Sequence, residues 1–179
     1  MRAISLWLAV ILALWAGPGS ALANDQDVLE RALGDALVQF ERALPQLGAS
    51  VDGVDVAAYR DALSRQRFDG GAWGGPVRLE LRMGMEDGGG CGRFAAYVRL
   101  PPEAGTVRMV LCRQFFEEGH DALRRLTVLH EMVHVVAGPD ECRAMAFAAR
   151  IEQLATGSFT PVDAYWRAQG CETSAFGLP

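Results

Sequence analysis

The stretch "LTVLHEMVHVVAGPDE", residues 126–141, sets apolar side chains at helical spacing around two of the chain's three histidines. Leu126, Leu129, Val133 and Val136 form one stripe, and Val128, Met132 and Val135 form a second. A helix over residues 121–137 would therefore be buried around most of its circumference. Gly138 is placed to end it and Pro139 to begin the next, with Asp140 and Glu141 in a first turn, where acidic side chains are favoured. The following helix, running to about Ala155, presents Ala144, Phe147, Ala148, Ile151 and Leu154 on one face.

Three polar residues interrupt the apolar helix: His130, Glu131 and His134. Burying them without partners costs on the order of several kcal/mol. Side chains at i and i+4 lie on one helix face, so both imidazoles can reach a single ion, and a bound Zn2+ removes the penalty. Glu131 stands one residue round from His130, where its carboxylate would meet a water bound to the zinc and not the zinc itself. Zinc would lower the pKa of that water, and Glu131 would take its proton as the water attacks a carbonyl. A catalytic zinc usually has three protein ligands. Glu141, seven residues after His134 and just past a Gly-Pro turn, is the candidate for the third, and Asp140 is the alternative. His120, beside two glutamates, reads as a surface residue, and Glu152 stands three helical turns beyond Glu141, too far along to share the ion.

Working towards the N-terminus, Thr106 to Cys112 and Phe94 to Leu100 read as strands joined by "PPEAG", and residues 84–92, with "GGGCG", as a loop. Val77, Leu79, Leu81 and Met83 alternate with Arg78, Glu80 and Arg82, as in a strand with one buried face. The stretch "DGGAWGGP", 69–76, has the composition of a loop, and residues 53–67 carry a weak helical pattern through Val56, Tyr59 and Leu63. Before it, Asn24 and Asp25 can cap a helix bearing Leu29, Leu33, Leu37, Phe40 and Leu44, which Pro45 and Gly48 end. A short helix over 162–168 closes the chain. The expectation is an α+β domain: N-terminal helices, a small mainly antiparallel sheet, and two successive C-terminal helices that hold the polar cluster.

Composition narrows the function classes. The 179 residues suit one domain. All 17 basic residues are arginine, the net charge is −5, and no basic cluster occurs, which argues against nucleic acid or an anionic membrane as partner. Residues 1–23 read as a secretory signal peptide: Arg2, an apolar run from Ile4 to Ala16, Gly17-Pro18-Gly19, and the small-residue end Ala21-Leu22-Ala23. Residues 24–179 would then be a secreted or periplasmic single domain with no stable membrane insertion. Its four cysteines have no C-x-x-C spacing and are expected as disulfides, Cys91 with Cys112 and Cys142 with Cys171.

At His130-Glu131-Met132-Val133-His134 the sequence resembles the zincin metallopeptidases. The run "VRMVLCRQFFEEGHDALRRLTVLHEMVH" is similar to deuterolysin-type aspzincins, whose third ligand is the aspartate of Gly-Thr-x-Asp, matched in part by Gly138-Pro139-Asp140-Glu141. Glu141-Cys142-Arg143-Ala144 resembles the Glu-x-x-Ala helix of gluzincins, in which the glutamate is the ligand. The resemblance spans about residues 106–150. It implies a zincin-like fold, zinc-dependent hydrolysis of a peptide or protein substrate, His130, His134 and Glu141 as ligands, Glu131 as general base, and substrate lying against Thr106–Leu111 as an edge strand. The tyrosine that aspzincins carry after the third ligand is absent, so Tyr165 and Arg143 are the candidates for stabilising an oxyanion. Three readings compete: a secreted zinc-containing binding or inhibitory domain without catalysis, a non-metal interaction module stapled by two disulfides, and a metal-dependent hydrolase of a non-peptide amide.

Overall fold

The computed structural model describes residues 19–84 and 89–179. Most of the expected signal peptide, residues 1–18, and part of the 84–92 connection therefore lie outside the described residues.

The first helix, α1 (Gly19–Ala43), runs through Asn24 and Asp25 instead of starting there. Its buried row is Leu29, Ala32, Ala36, Phe40 and Ala43, while Leu33 and Leu37 are only half-buried. The expected leucine stripe is thus displaced by part of a turn. Alanines at the contact let α1 approach the two C-terminal helices closely, and leucines flank the seam. Next comes a two-stranded ribbon, β1 (Ser50–Val51) and β2 (Val54–Asp55), turning through Asp52 and Gly53, with φ of 52° and 79°. Two positive φ values in a two-residue loop make the tight hairpin turn for which Asp-Gly is suited. The helical pattern expected from residue 53 starts only at α2 (Val56–Arg65), because Asp55 caps it, its carboxylate accepting from the Ala58 amide at 2.9 Å.

The loop expected at 69–76 is mostly the turn of a hairpin between β3 (Arg67–Gly70) and β4 (Gly75–Gly84). Strand β5 (Ala96–Glu103) absorbs most of "PPEAG", leaving Ala104-Gly105 to turn into β6 (Thr106–Cys112). The sheet order is β3-β4-β6-β5. Its outer pairs are antiparallel, but β4 and β6 pair in parallel from Arg78↔Thr106 to Gly84↔Cys112. Two consequences follow for the site. Strand β6 is interior, so the edge-strand role expected of Thr106–Leu111 is corrected, and the edge on that side is β5.

The central helix α3 (Asp121–Ala137) packs against α1, α2, β5, β6 and α4 (Glu141–Thr156). Enclosed on so many sides, it is buried from Val128 through Val136 without a break. Two large side chains bond to its carbonyls: the Tyr59 hydroxyl donates to Leu129 O and the Trp73 indole N–H to Val135 O, each at 2.8 Å. Buried Tyr and Trp need such partners, and here they also fix α3 against α2 and the β3–β4 turn. The last helix, α5 (Asp163–Ala168), leads to a tail held by Cys142–Cys171, and Cys91–Cys112 ties residues 89–92 to β6. Both disulfides form as expected and suit an oxidising, non-cytoplasmic compartment. Among the described residues, no helix is long and apolar enough to cross a membrane.

Candidate active site

Gly138 turns the chain from α3 into α4 at φ 95°, a value a side chain would resist, and α4 begins three residues later. The turn is pinned on both sides. Asp140 caps α4, accepting from the Arg143 amide at 2.9 Å, and the Arg143 guanidinium donates to Ala137 O at 2.9 Å. Glu141, the first residue of α4, is thereby carried to the two histidines on α3.

Three atoms converge there. His130 Nε2 lies 3.1 Å from His134 Nε2 and 3.1 Å from Glu141 Oε2, and His134 Nε2 lies 3.4 Å from the same oxygen. His134 Nδ1 faces Gly138 O at 2.9 Å. A carbonyl only accepts, so Nδ1 carries the proton, and in the neutral ring Nε2 keeps its lone pair pointed into the cluster. Ligand atoms bound tetrahedrally to zinc at about 2.0–2.1 Å lie roughly 3.3 Å apart, close to all three separations. No hydrogen-bonding arrangement of two neutral imidazoles and one carboxylate oxygen satisfies all three contacts, since a single proton cannot bridge them. The donor set fits a divalent cation.

This is a zincin-like site. The H-E-x-x-H helix and the nearby Glu141, brought together by packing of α3 on α4, match the zincin signature, and the arrangement is that of a zinc-metallopeptidase-like enzyme. No known family, curated protein or solved structure matches the chain.

Electrostatics separate the two glutamates of the zincin-like site. Burial disfavours the charge on Glu141, yet the hydrogen bonds it shares with His130, His134 and Tyr165 prevail and hold it well below the usual carboxylate range. Burial pushes Glu131 up, with Glu141 adding to the rise and the two histidines opposing it. Glu131 Oε2 is buried without a hydrogen-bond partner among the described residues, as is His130 Nδ1. For His134, burial works against the charged form, but Glu141, Glu131 and the Gly138 carbonyl outweigh it and raise its pKa.

Tyr165, on α5, donates to Glu141 Oε2 at 2.7 Å, and its ring meets the His130 ring edge-on at 5.9 Å between centroids. Burial, then the bond to Glu141, drives its pKa far up, so the phenol stays a proton donor at any ordinary pH. The other candidates do not reach the cluster. Asp140 is occupied as a cap, and Arg143 binds Ala137 O and stacks on the Phe176 ring. His120 is exposed at the start of α3. Glu152 is buried elsewhere, accepting from the Thr160 amide at 2.7 Å. Two contributors carried no signal in the sequence: the start of β5 with Phe94 before it, and the segment Thr160–Ala164. Together they line two recesses that meet at Glu131 and Tyr165.

Proposed function

We propose that this protein is an exported zinc-dependent metallopeptidase, with His130, His134 and Glu141 as zinc ligands and Glu131 as general base. The observation that carries the reading is the triangle of Nε2, Nε2 and Oε2 atoms beside a buried carboxylate with an unpartnered oxygen. A zinc ion held there would supply Lewis acidity towards a water and towards a carbonyl oxygen. The chain supplies the rest. Glu131, its proton affinity raised by burial, accepts a proton from the attacking water and returns it to the leaving amine nitrogen as the amide C–N bond breaks. Tyr165 offers an O–H to the oxygen on which charge develops. The free edge of β5 offers backbone groups to an extended peptide, so that amide and water become acid and amine on a chain held like an added strand.

Residues 1–23 serve as a signal peptide in this reading, and residues 24–179 form the mature single domain. Cleavage before Asn24 makes Asn24 and Asp25 the helix start, where both side chains suit the unpaired amides.

The test is a mixed peptide library incubated with zinc-loaded wild type and Glu131→Gln, with and without a chelator. Cleavage confined to chelator-free wild type, with about one zinc bound per chain in both proteins, is the expected result. Hydrolysis by Glu131→Gln at the wild-type rate rejects Glu131 as base. Cleavage of non-peptide amides alone moves the substrate class.

A further inference from the structure

On one side of Glu131 and Tyr165 a recess of about 320 Å³ opens between α3, the segment before β5, and residues Thr160–Ala164. Its walls are Leu126 of α3, Met145 of α4, Val162, Ala164 and Ala96, and the only ionisable groups lining it among the described residues are His130, Glu131 and Tyr165, at the reacting end. On the other side a smaller recess of about 210 Å³ follows β5 past Tyr97 and Val98 to His134 and Glu141. The first recess is about twice the roughly 150 Å³ of an apolar cavity that holds benzene. Among the described residues, three large hydrophobic side chains are exposed, and two of them, Phe94 at 36% and Leu123 at 50%, line this recess. Its far wall is held from behind, because the buried Glu152 accepts from the Thr160 amide at 2.7 Å and lies 3.8 Å from Arg125. The recess is therefore preformed, apolar, and continuous with the zincin-like site.

We infer that this recess is the specificity pocket, selecting substrates with one bulky uncharged side chain, aliphatic or aromatic, on one flank of the scissile amide. The inference rests on the peptidase reading above. A leucine or phenylalanine side chain buries apolar area against Leu126, Met145 and Val162 and displaces water from Phe94 and Leu123. An acidic side chain there faces the Glu131 carboxylate, and no arginine among the described residues lines the recess to receive it. A basic one loses hydration in a recess whose one acidic lining residue, among the described residues, is the general base. Extra buried carbons relative to alanine translate into a preference of about tenfold or more.

The experiment uses blocked hexapeptides that differ at one position, X = Ala, Leu, Phe, Glu or Arg, with zinc-loaded full chain. The expected result is kcat/KM for Leu and Phe at least about tenfold above Ala, with Glu and Arg lowest. Thr127→Phe, which fills the recess from α3, should reverse the order in favour of Ala. Leu123→Glu, a surface change on the rim that leaves the core intact, should lower Leu and Phe towards Ala. Equal rates for all five peptides, or a Leu and Phe preference unmoved by both variants, overturn the inference while leaving the peptidase intact. If no peptide is cleaved the peptidase reading fails, and the recess is judged by binding of the same peptides to Glu131→Gln. Tighter binding of Leu and Phe than of Ala upholds it, and equal binding overturns it.

Discussion

The Tyr165 hydroxyl stands 2.7 Å from Glu141 Oε2, the same oxygen that lies within 3.4 Å of both histidine Nε2 atoms. One carboxylate oxygen thus links the α3 pair to α5. If Tyr165 stabilises developing negative charge, Tyr165→Phe lowers kcat by about 10²-fold with KM and zinc content little changed. If it only orients Glu141, zinc affinity falls instead and kcat at saturating zinc recovers. Steady-state kinetics alongside metal titration tells these apart.

Adjacent acidic residues should respond in opposite ways. Asp140→Ala removes the α4 cap and costs about 1 kcal/mol of stability, with zinc affinity within a few fold of wild type. Glu141→Ala takes an oxygen from the cluster and weakens zinc binding by orders of magnitude. Thermal melts and competition titration with a chromogenic chelator measure both, and the reverse pattern would transfer the ligand role to Asp140.

Without metal, the site's contribution to stability depends on pH in two directions. Glu141, depressed in the fold, stabilises above the unfolded carboxyl pKa of about 4.3 and loses this as pH falls through its folded value. His134, raised, stabilises below about 6.5 and loses this as pH rises through its folded value. Glu131, also raised, begins to cost stability above about 4.3. Zinc needs both imidazoles unprotonated, so the gap in melting temperature between zinc-loaded and metal-free protein should widen as pH rises from about 5 to 8. A constant gap would contradict binding through these rings.

Cys142–Cys171 joins the residue after Glu141 to the start of the tail that follows α5. Its sequence separation of 29 corresponds to about 3–4 kcal/mol of lost chain entropy in the unfolded state. The double variant Cys142→Ser, Cys171→Ser should unfold earlier in urea by that amount. It should also bind zinc more weakly than a Cys91→Ser, Cys112→Ser variant, whose bridge packs with Val110 and Tyr97 in a small cluster apart from the main core. Equal zinc affinities would show that the tail tether does not support Glu141.

Local pattern was enough for much of this protein. The i, i+4 spacing of His130 and His134 puts both rings on one face of any helix, and the double apolar stripe makes that helix central. Alternation from Val77 to Met83 marks β4, and of the three pairings that four cysteines allow, the preferred one, Cys91 with Cys112 across the strands and Cys142 with Cys171 from helix start to tail, is the one that forms. The helical pattern over residues 53–67 starts too early, because Gly53 belongs with Asp52 to the β1–β2 turn.

Tertiary structure alone decided the remainder. Parallel pairing of β4 with β6 leaves no trace in side-chain alternation, because either direction of pairing buries the same face, and it is this pairing that places β5 at the edge beside the site. Hydropathy weights leucine above alanine, so the closely packed Ala32 and Ala36 row of α1 was invisible until its neighbours were in place. Asp140 and Glu141 are equivalent as acidic residues of a first turn; cap geometry turns one carboxylate back onto its own helix and sends the other to the histidines. Tyr165 and the Thr160–Ala164 wall reach the site from chain positions well beyond it, held there by Glu152 and a disulfide. Periodicity reports which face of an element is covered, and only packing determines what covers it.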